Sequence, residues 1–196
     1  MTKRIIDLLL AGTALVILSP LLLILAAWVG LSSKGGVFYR QERVGRYGKP
    51  FQLIKFRSMR PASDQKGLLT VGNDQRITPV GHILRKYKLD ELPQLWNIIK
   101  GEMSIVGPRP EVQKYVDYYS PEQKKVLELR PGLTDYASLE YFEEARLLAE
   151  SPNPEQTYIQ EVMPAKLNLN LRYLAEQSLV TDLKIIGQTI GKILNA

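Results

Sequence analysis

The chain has 196 residues, no cysteine, one histidine and a formal net charge of +6. That length suits one domain with a substantial core. The missing thiols exclude disulfides, zinc–thiolate sites and cysteine nucleophiles, and a single histidine excludes multi-histidine metal sites and argues against a Ser-His-Asp triad.

Residues 8–31 form an apolar run of 24 without one charged side chain, about 36 Å as a straight helix and therefore membrane-embedded. Ser19-Pro20 falls near its middle. The proline ring removes the N–H that would bond the Val16 carbonyl, and the serine hydroxyl can partly satisfy the freed group. Basic residues flank both ends: Lys3-Arg4 before, and eight Lys and Arg between Lys34 and Arg60 against Glu42 alone after. The positive-inside rule puts both ends on the cytoplasmic side. A helix that breaks at Ser19-Pro20 and returns satisfies this; from the residues alone a spanning helix stands beside it. The basic run has no zinc-finger or RNP-type aromatic signature, so anionic lipid rather than nucleic acid is the expected partner. This divides the chain into a membrane segment, 1–33, and a cytosolic domain, 34–196.

Val37-Phe38-Tyr39 and Phe51-Gln52-Leu53-Ile54 read as brief strands, with Gly45 and Gly48-Lys49-Pro50 as turns. In Lys55-Phe56-Arg57-Ser58-Met59-Arg60 the cations alternate and would project to one side of an extended segment, as a solvated edge, a lipid-facing patch or a substrate contact. Residues 67–76 read as a loop with Asp74 and Arg76 as polar contacts. Residues 79–88 read as a helix with Ile83, Leu84 and Tyr87 on its apolar face; His82 lies there as a surface residue rather than a base. In the next segment Leu92, Leu95, Trp96 and Ile99 recur at helical spacing, with Pro93 in the first turn and Gly101 as the stop. Asp90-Glu91 therefore sits at a helix start, as an ordinary cap or as an acidic pair between the cations of Arg85-Lys86-Tyr87-Lys88 and Arg109. Cations that keep a carboxylate ionised can also hold phosphates against it.

Met103-Ser104-Ile105-Val106 is a short apolar run, and Pro108-Arg109-Pro110 presents a guanidinium from a stiff backbone, suited to bidentate phosphate binding. Residues 111–119, 121–129 and 143–150 read as helices, 134–140 as extended, and Ser151-Pro152-Asn153-Pro154 as a break. Leu183, Ile186, Ile190, Ile193 and Leu194 mark a C-terminal helix that packs on the core, with an interfacial membrane helix as the lesser reading. The fold class expected is α+β, mostly helical.

Lys3-Arg4-x-x-Asp7, the apolar segment with Ser19-Pro20, Lys55-Phe56-Arg57-Ser58-Met59, Leu89-Asp90-Glu91-Leu92-Pro93-Gln94, Gly107-Pro108-Arg109-Pro110 and Arg130-Pro131-Gly132 stand in one order. In this the chain resembles the bacterial sugar transferases, the monotopic polyprenyl-phosphate phosphoglycosyl transferases, and looks like their minimal catalytic unit. The resemblance implies a re-entrant helix broken at Ser19-Pro20 and a catalytic domain on the cytoplasmic face of the inner membrane. It also implies transfer of a phosphosugar from a nucleotide-diphosphate sugar, with uridine as the base, to polyprenyl phosphate, early in glycan assembly. Asp90 would be the nucleophile of the pair Asp90-Glu91. Magnesium would sit at that pair, and Lys55, Arg57, Arg85 and Arg109 would contact substrate. A homodimer is left open. After Gly132 the chain departs from many relatives, which continue with a Gly-rich loop, so the sugar does not follow. The rival is a non-catalytic membrane-anchored module that binds lipid or protein.

Overall fold

The computed structural model describes residues 2–32, 34–63 and 67–195. It is mostly helical with a few short strands. Helix α1, Thr2–Ser32, is the apolar segment. Helical geometry continues through Ser19-Pro20, where the sequence predicts a break, and Ser19 Oγ donates to the Val16 carbonyl at 2.8 Å, standing in for the N–H that Pro20 lacks. Much of α1 is bare, with Val16, Ile17, Leu23 and Ile24 exposed. Its two halves nevertheless both meet the rest of the chain. Ala11 packs with Leu95 and Ile98, and Leu25 and Val29 pack with Phe56, Val80 and Leu84.

The start of α1 is fastened by charge. Asp7, buried, accepts from the Ser104 hydroxyl at 2.7 Å and the Ile105 amide at 3.1 Å. Lys3 reaches Asp182 at 2.5 Å, and Asp182 also accepts from the Tyr173 hydroxyl. Arg4 donates to the Ile99 and Met103 carbonyls, one in the last turn of the helix over residues 94–100 and one just past it. The Lys3-Arg4-x-x-Asp7 motif therefore joins the start of α1 to the rest of the chain. Asp7→Ala leaves the half-buried Ile105 amide without its acceptor and takes one of two partners from the buried Ser104 hydroxyl, costing about 2–3 kcal/mol. The expected result is a fall in Tm on the order of 5–10 °C in detergent, with Ser104→Ala costing less because it leaves the Ile105 amide bonded to Asp7. An unchanged Tm for Asp7→Ala would contradict the fastening.

Strands β1, Phe38–Val44, and β2, Pro50–Phe56, form an antiparallel hairpin in which Phe38 faces Phe56 and Val44 faces Pro50. Both are longer than the sequence suggests. Phe51 and Leu53 point inward, and Lys55 continues their face by period-two alternation. Helix α2, Pro79–Lys86, is capped by Thr78, whose hydroxyl accepts from the Gly81 amide. Its buried face is Val80, Gly81 and Leu84, whereas Ile83 and Tyr87 are exposed. Gly81 sets that face: a Cβ there would lie 1.9 Å from the Ser58 carbonyl oxygen. His82 is exposed on α2, as expected.

Helix α3, Gln94–Lys100, ends at Gly101 with φ +90°. It buries Leu95 and Ile98 and leaves Trp96 exposed. Its Asn97, fully buried, accepts from the Ile54 amide and donates to the Gln52 carbonyl, pinning α3 along β2. Strand β3, Ser104–Val106, pairs in parallel with β4, Gly132–Thr134. Gly107 and Gly132 touch where the two motifs meet, since a Cβ on Gly132 would lie 2.2 Å from the Gly107 nitrogen. Residues 111–129 hold only a short helix, α4, Gln113–Val116, and a 3₁₀ segment, Gln123–Glu128.

Residues 136–140, expected to be extended, form helix α5, Tyr136–Glu140, because the Asp135 carboxylate accepts the Ser138 amide as an N-cap. Helices α6, Glu144–Ala149, and α7, Pro154–Thr157, flank the expected break. A π turn, Tyr158–Val162, leads into α8, Met163–Glu176. The last helix, α9, Leu179–Leu194, buries Asp182 and Ile185. Leu183, Ile190 and Leu194, expected in the core, are exposed. Apolar residues lie round most of this helix, so spacing alone does not single out the face that packs.

Candidate active site

Asp90 and Glu91 do not cap a helix. Lys88 adopts left-handed backbone, φ +54°, and turns the chain out of α2 into a 3₁₀ turn, Leu89–Glu91, with Pro93 as the N-cap of α3. Tight bonds run through this corner: Glu91 N–H to Lys88 O, Leu92 N–H to Leu89 O, Leu95 N–H to Leu92 O and Trp96 N–H to Pro93 O. Backbone carbonyls thus take amides that a capping carboxylate would have accepted. Both acidic side chains are buried, at 4% and 7% residue exposure. Asp90 Oδ1 has no hydrogen-bond partner among the described residues.

Glu91 is engaged through both oxygens, with Oε2 taking one donor only. Arg109 donates to both its oxygens, at 2.5 and 3.1 Å, in a fork, and Lys55 Nζ lies 3.3 Å from Oε1. Three elements set this geometry. Lys55 arrives from the inward face of β2. Arg109 follows the Gly107–Gly132 crossing, and its amide donates to the buried Asp135 carboxylate at 3.1 Å. Glu91 comes from the 3₁₀ corner. Arg85, from α2, donates to Thr70 Oγ1, and its Nη1 is buried without a partner.

The pair divides in charge behaviour. Burial pushes the Asp90 carboxyl above the usual carboxylate range, and the neighbouring Glu91 adds to the rise. Burial acts on Glu91 in the same sense, but the charges of Arg109 and Lys55 and the Arg109 hydrogen bond outweigh it and hold Glu91 well below its usual value. Burial brings Lys55 down to about 8, against the pull of Glu91. One carboxylate is thus locked as an anion, and its neighbour is unpaired and more basic.

Glu91, Arg85, Arg109 and Lys88 line a cavity of about 560 Å³ that also reaches Glu111, Lys166 and Asn170. That volume is in the range of small-molecule sites. Asp90 lies one residue from this wall. The structure thus brings Asp90, Glu91, Lys55, Arg85 and Arg109 together and leaves Arg57 apart: its guanidinium donates to the Gly36 and Phe38 carbonyls at the base of β1. Residues that pattern reading missed are Asn97 and Asp135, which hold Lys55 and Arg109 in place, and Glu111, Lys166 and Asn170 in the cavity wall. Only Asp135 carried a local signal, as an Asp three residues before Ser138 at a helix start.

Among the described residues no three His, Asp or Glu gather as a metal cluster. Magnesium commonly takes one or two carboxylates and completes its shell with water and substrate phosphate. The unpaired Asp90 oxygen beside Glu91 fits an ion that arrives with a diphosphate.

The model of the bacterial sugar transferase family matches residues 1–196. The chain is 36% identical over 98% of its length to the exopolysaccharide production protein ExoY of Rhizobium meliloti, covering 85% of that protein. It is also 36% identical over 98% of its length to a UDP-glucose:undecaprenyl-phosphate glucose-1-phosphate transferase of Caulobacter vibrioides, covering 69% of it. A UDP-N-acetylgalactosamine-undecaprenyl-phosphate N-acetylgalactosaminephosphotransferase of Aeromonas hydrophila matches at 36% identity over 98% of this chain and 43% of the relative. Matched across its whole length, the chain belongs to the bacterial sugar transferase family.

Proposed function

We propose that this protein transfers a phosphosugar from a UDP-sugar to undecaprenyl phosphate, giving undecaprenyl-diphosphate sugar and UMP, through a covalent intermediate on Asp90. The observation that carries the reading is the divided acidic pair: an unpaired, buried Asp90 beside a Glu91 clamped by Arg109 and Lys55. A binding module has no use for a carboxylate kept unpaired among cations, whereas a nucleophile needs free lone pairs. Asp90 attacks the phosphorus that bears the sugar. The bond from that phosphorus to the bridging oxygen breaks, and UMP departs with the oxygen and its electron pair. A phosphate oxygen of the lipid then attacks the same phosphorus and frees the Asp90 carboxylate.

Arg109, Arg85 and Lys55 offset the charge of two anions meeting and orient the diphosphate. Arg57 supports the base of the hairpin that carries Lys55. Magnesium, held by Asp90 and Glu91, would supply further neutralisation of the phosphates. The reaction is tested by incubating the purified protein with magnesium, a panel of UDP-sugars and undecaprenyl phosphate. UMP and a lipid diphosphate sugar are expected; release of UDP instead would show transfer of the sugar alone and overturn the reading.

The helix placement fits a lipid acceptor. Contacts from both halves of α1 to the domain support a helix that dips into the cytoplasmic leaflet of the inner membrane and returns, since a spanning helix would carry its second half away from α2. The chain lacks cysteine, so single cysteines at Thr2 and Lys34 report on each end separately. Both are expected to react with an impermeant maleimide only when the cytoplasmic face is open to it. Labelling of the two from opposite faces would establish a spanning helix.

A further inference from the structure

We propose that Lys88 and Lys192, which share the Phe142 ring, bind the phosphate of the lipid acceptor and so act in the second half of the reaction. This rests on the transferase reading and adds to it the residues that receive the acceptor. Phe142 lies in the turn between α5 and α6 and lines the cavity. Lys88 Nζ stands 4.9 Å from the centre of its ring, and Lys192 Nζ, from α9, stands 5.6 Å away. An aromatic face holds an ammonium by about 0.5–1 kcal/mol, less than a hydrogen bond to a charged group gives. Among the described residues neither lysine makes an ion pair. Lys192 donates to the Leu139 carbonyl, and Glu91, three residues beyond Lys88, is already taken by Arg109 and Lys55. Lys192 is exposed and Lys88 half-buried, so the two ammonium groups lead from the surface to the corner that carries Asp90. Lys88 also holds left-handed backbone, φ +54°, which costs a lysine about 1 kcal/mol and an asparagine less. Two uncompensated cations at the edge of a cavity draw an anion to it.

Donor and acceptor both bring phosphate, and the apolar side of the cavity favours the acceptor. Leu89, Leu92, Ile105, Leu133 and Ile186 line that side. The same residues meet α1: Leu89 and Leu92 pack with Leu25 and Val29, Ile105 and Leu133 join the cluster of Ala11, and Ile186 borders a cleft with Leu10. A hydrocarbon chain that enters beside the membrane segment thus runs over apolar side chains and brings its phosphate to Lys88, the neighbour of Leu89. A nucleotide sugar is polar along its length and gains little there, and Arg109, Arg85 and Lys55 already serve its phosphates. In the discharge step an oxygen of the lipid phosphate forms a bond to the phosphorus held on Asp90. The bond from that phosphorus to the Asp90 oxygen breaks, and its electron pair returns to the carboxylate; a dianionic acceptor gives up no proton. Lys88 and Lys192 offset the repulsion between the two phosphates as they close.

The two half-reactions are separable, so the test times each. Protein in nanodiscs is mixed with magnesium and whichever UDP-sugar gives most UMP, first without lipid to follow UMP and the adduct, then with undecaprenyl phosphate to follow loss of the adduct. Lys88→Asn suits the left-handed backbone and should keep the fold, which an unchanged inhibition constant for UMP reports. It is expected to raise the undecaprenyl phosphate needed for half-maximal discharge by about 10- to 100-fold, with the first half-reaction slowed less than about threefold. Lys192→Met, at an exposed site, should raise that concentration by about threefold. UMP release by Lys88→Asn that slows in step with discharge would give Lys88 to the donor's phosphates and overturn the assignment, and so would discharge unchanged in both variants. A wild type that releases UMP from no donor, with lipid or without, would instead overturn the transferase reading beneath it.

Discussion

Asp90→Asn is expected to lower turnover by roughly four orders of magnitude or more and to leave the protein at least as stable as wild type. On the proposed mechanism the amide removes the attacking lone pairs while keeping the shape. Asp90 Oδ1 makes no hydrogen bond that the change could break, and Asp90 is the partner whose ionised form is disfavoured by burial and by Glu91. Removing that charge relieves a cost. Glu91→Gln should do the opposite to the fold, because it strips the anion from a buried fork and leaves Arg109 and Lys55 facing each other. Intact mass spectrometry without lipid acceptor reads the chemistry directly. Wild type should gain one phosphosugar as UMP appears, and Asp90→Asn should gain none. An adduct on Asp90→Asn, or substantial turnover by it, would move the nucleophile elsewhere.

The acidic pair, its cations and the membrane segment were legible because each is a local feature: an uncharged run, an adjacent Asp-Glu, an arginine between prolines. What escaped depends on contacts distant in sequence. Pro93 and the spacing of Leu92 and Leu95 place Asp90-Glu91 at a helix start, but the left-handed Lys88 and the competing 3₁₀ bonds delay α3 to Gln94. Lys55 and Arg57 have the same spacing from the same strand, and only pairing decides their fates. Lys55 shares the inward face with Leu53, whereas Arg57 lies opposite Val37, where the carbonyls of Gly36 and Phe38 capture it. Trp96 and Leu183 are exposed for a related reason, as periodicity finds apolar stripes without saying which one a partner covers. The cavity wall was out of reach of pattern altogether. Glu111, Glu144, Lys166 and Asn170 lie scattered over some sixty residues and are joined by the fold alone.

Arg109→Lys is expected to cut kcat by about 100- to 1,000-fold with a much smaller change in KM. A lysine keeps the charge and lets the buried Glu91 stay paired, so the fold should survive. It cannot supply two parallel donors to Glu91 while a third faces the cavity, and that fork is what holds Glu91 ionised and away from Asp90. With a single ammonium, Glu91 would be held less firmly and Asp90 would lose its fixed approach to phosphorus. The rate of UMP appearance in the first turnover, measured before lipid is added, separates this from a defect in acceptor binding. It should fall in Arg109→Lys by the same factor as kcat. Asp135→Asn, which weakens the anchor on the Arg109 amide and removes a buried charge near its guanidinium while leaving the fork to Glu91 in place, should give a smaller loss of about tenfold in the same assay. A wild-type first turnover for Arg109→Lys would mean that charge alone suffices at this position. The Gly107–Gly132 crossing that aims the fork would then serve only the packing of β3 on β4.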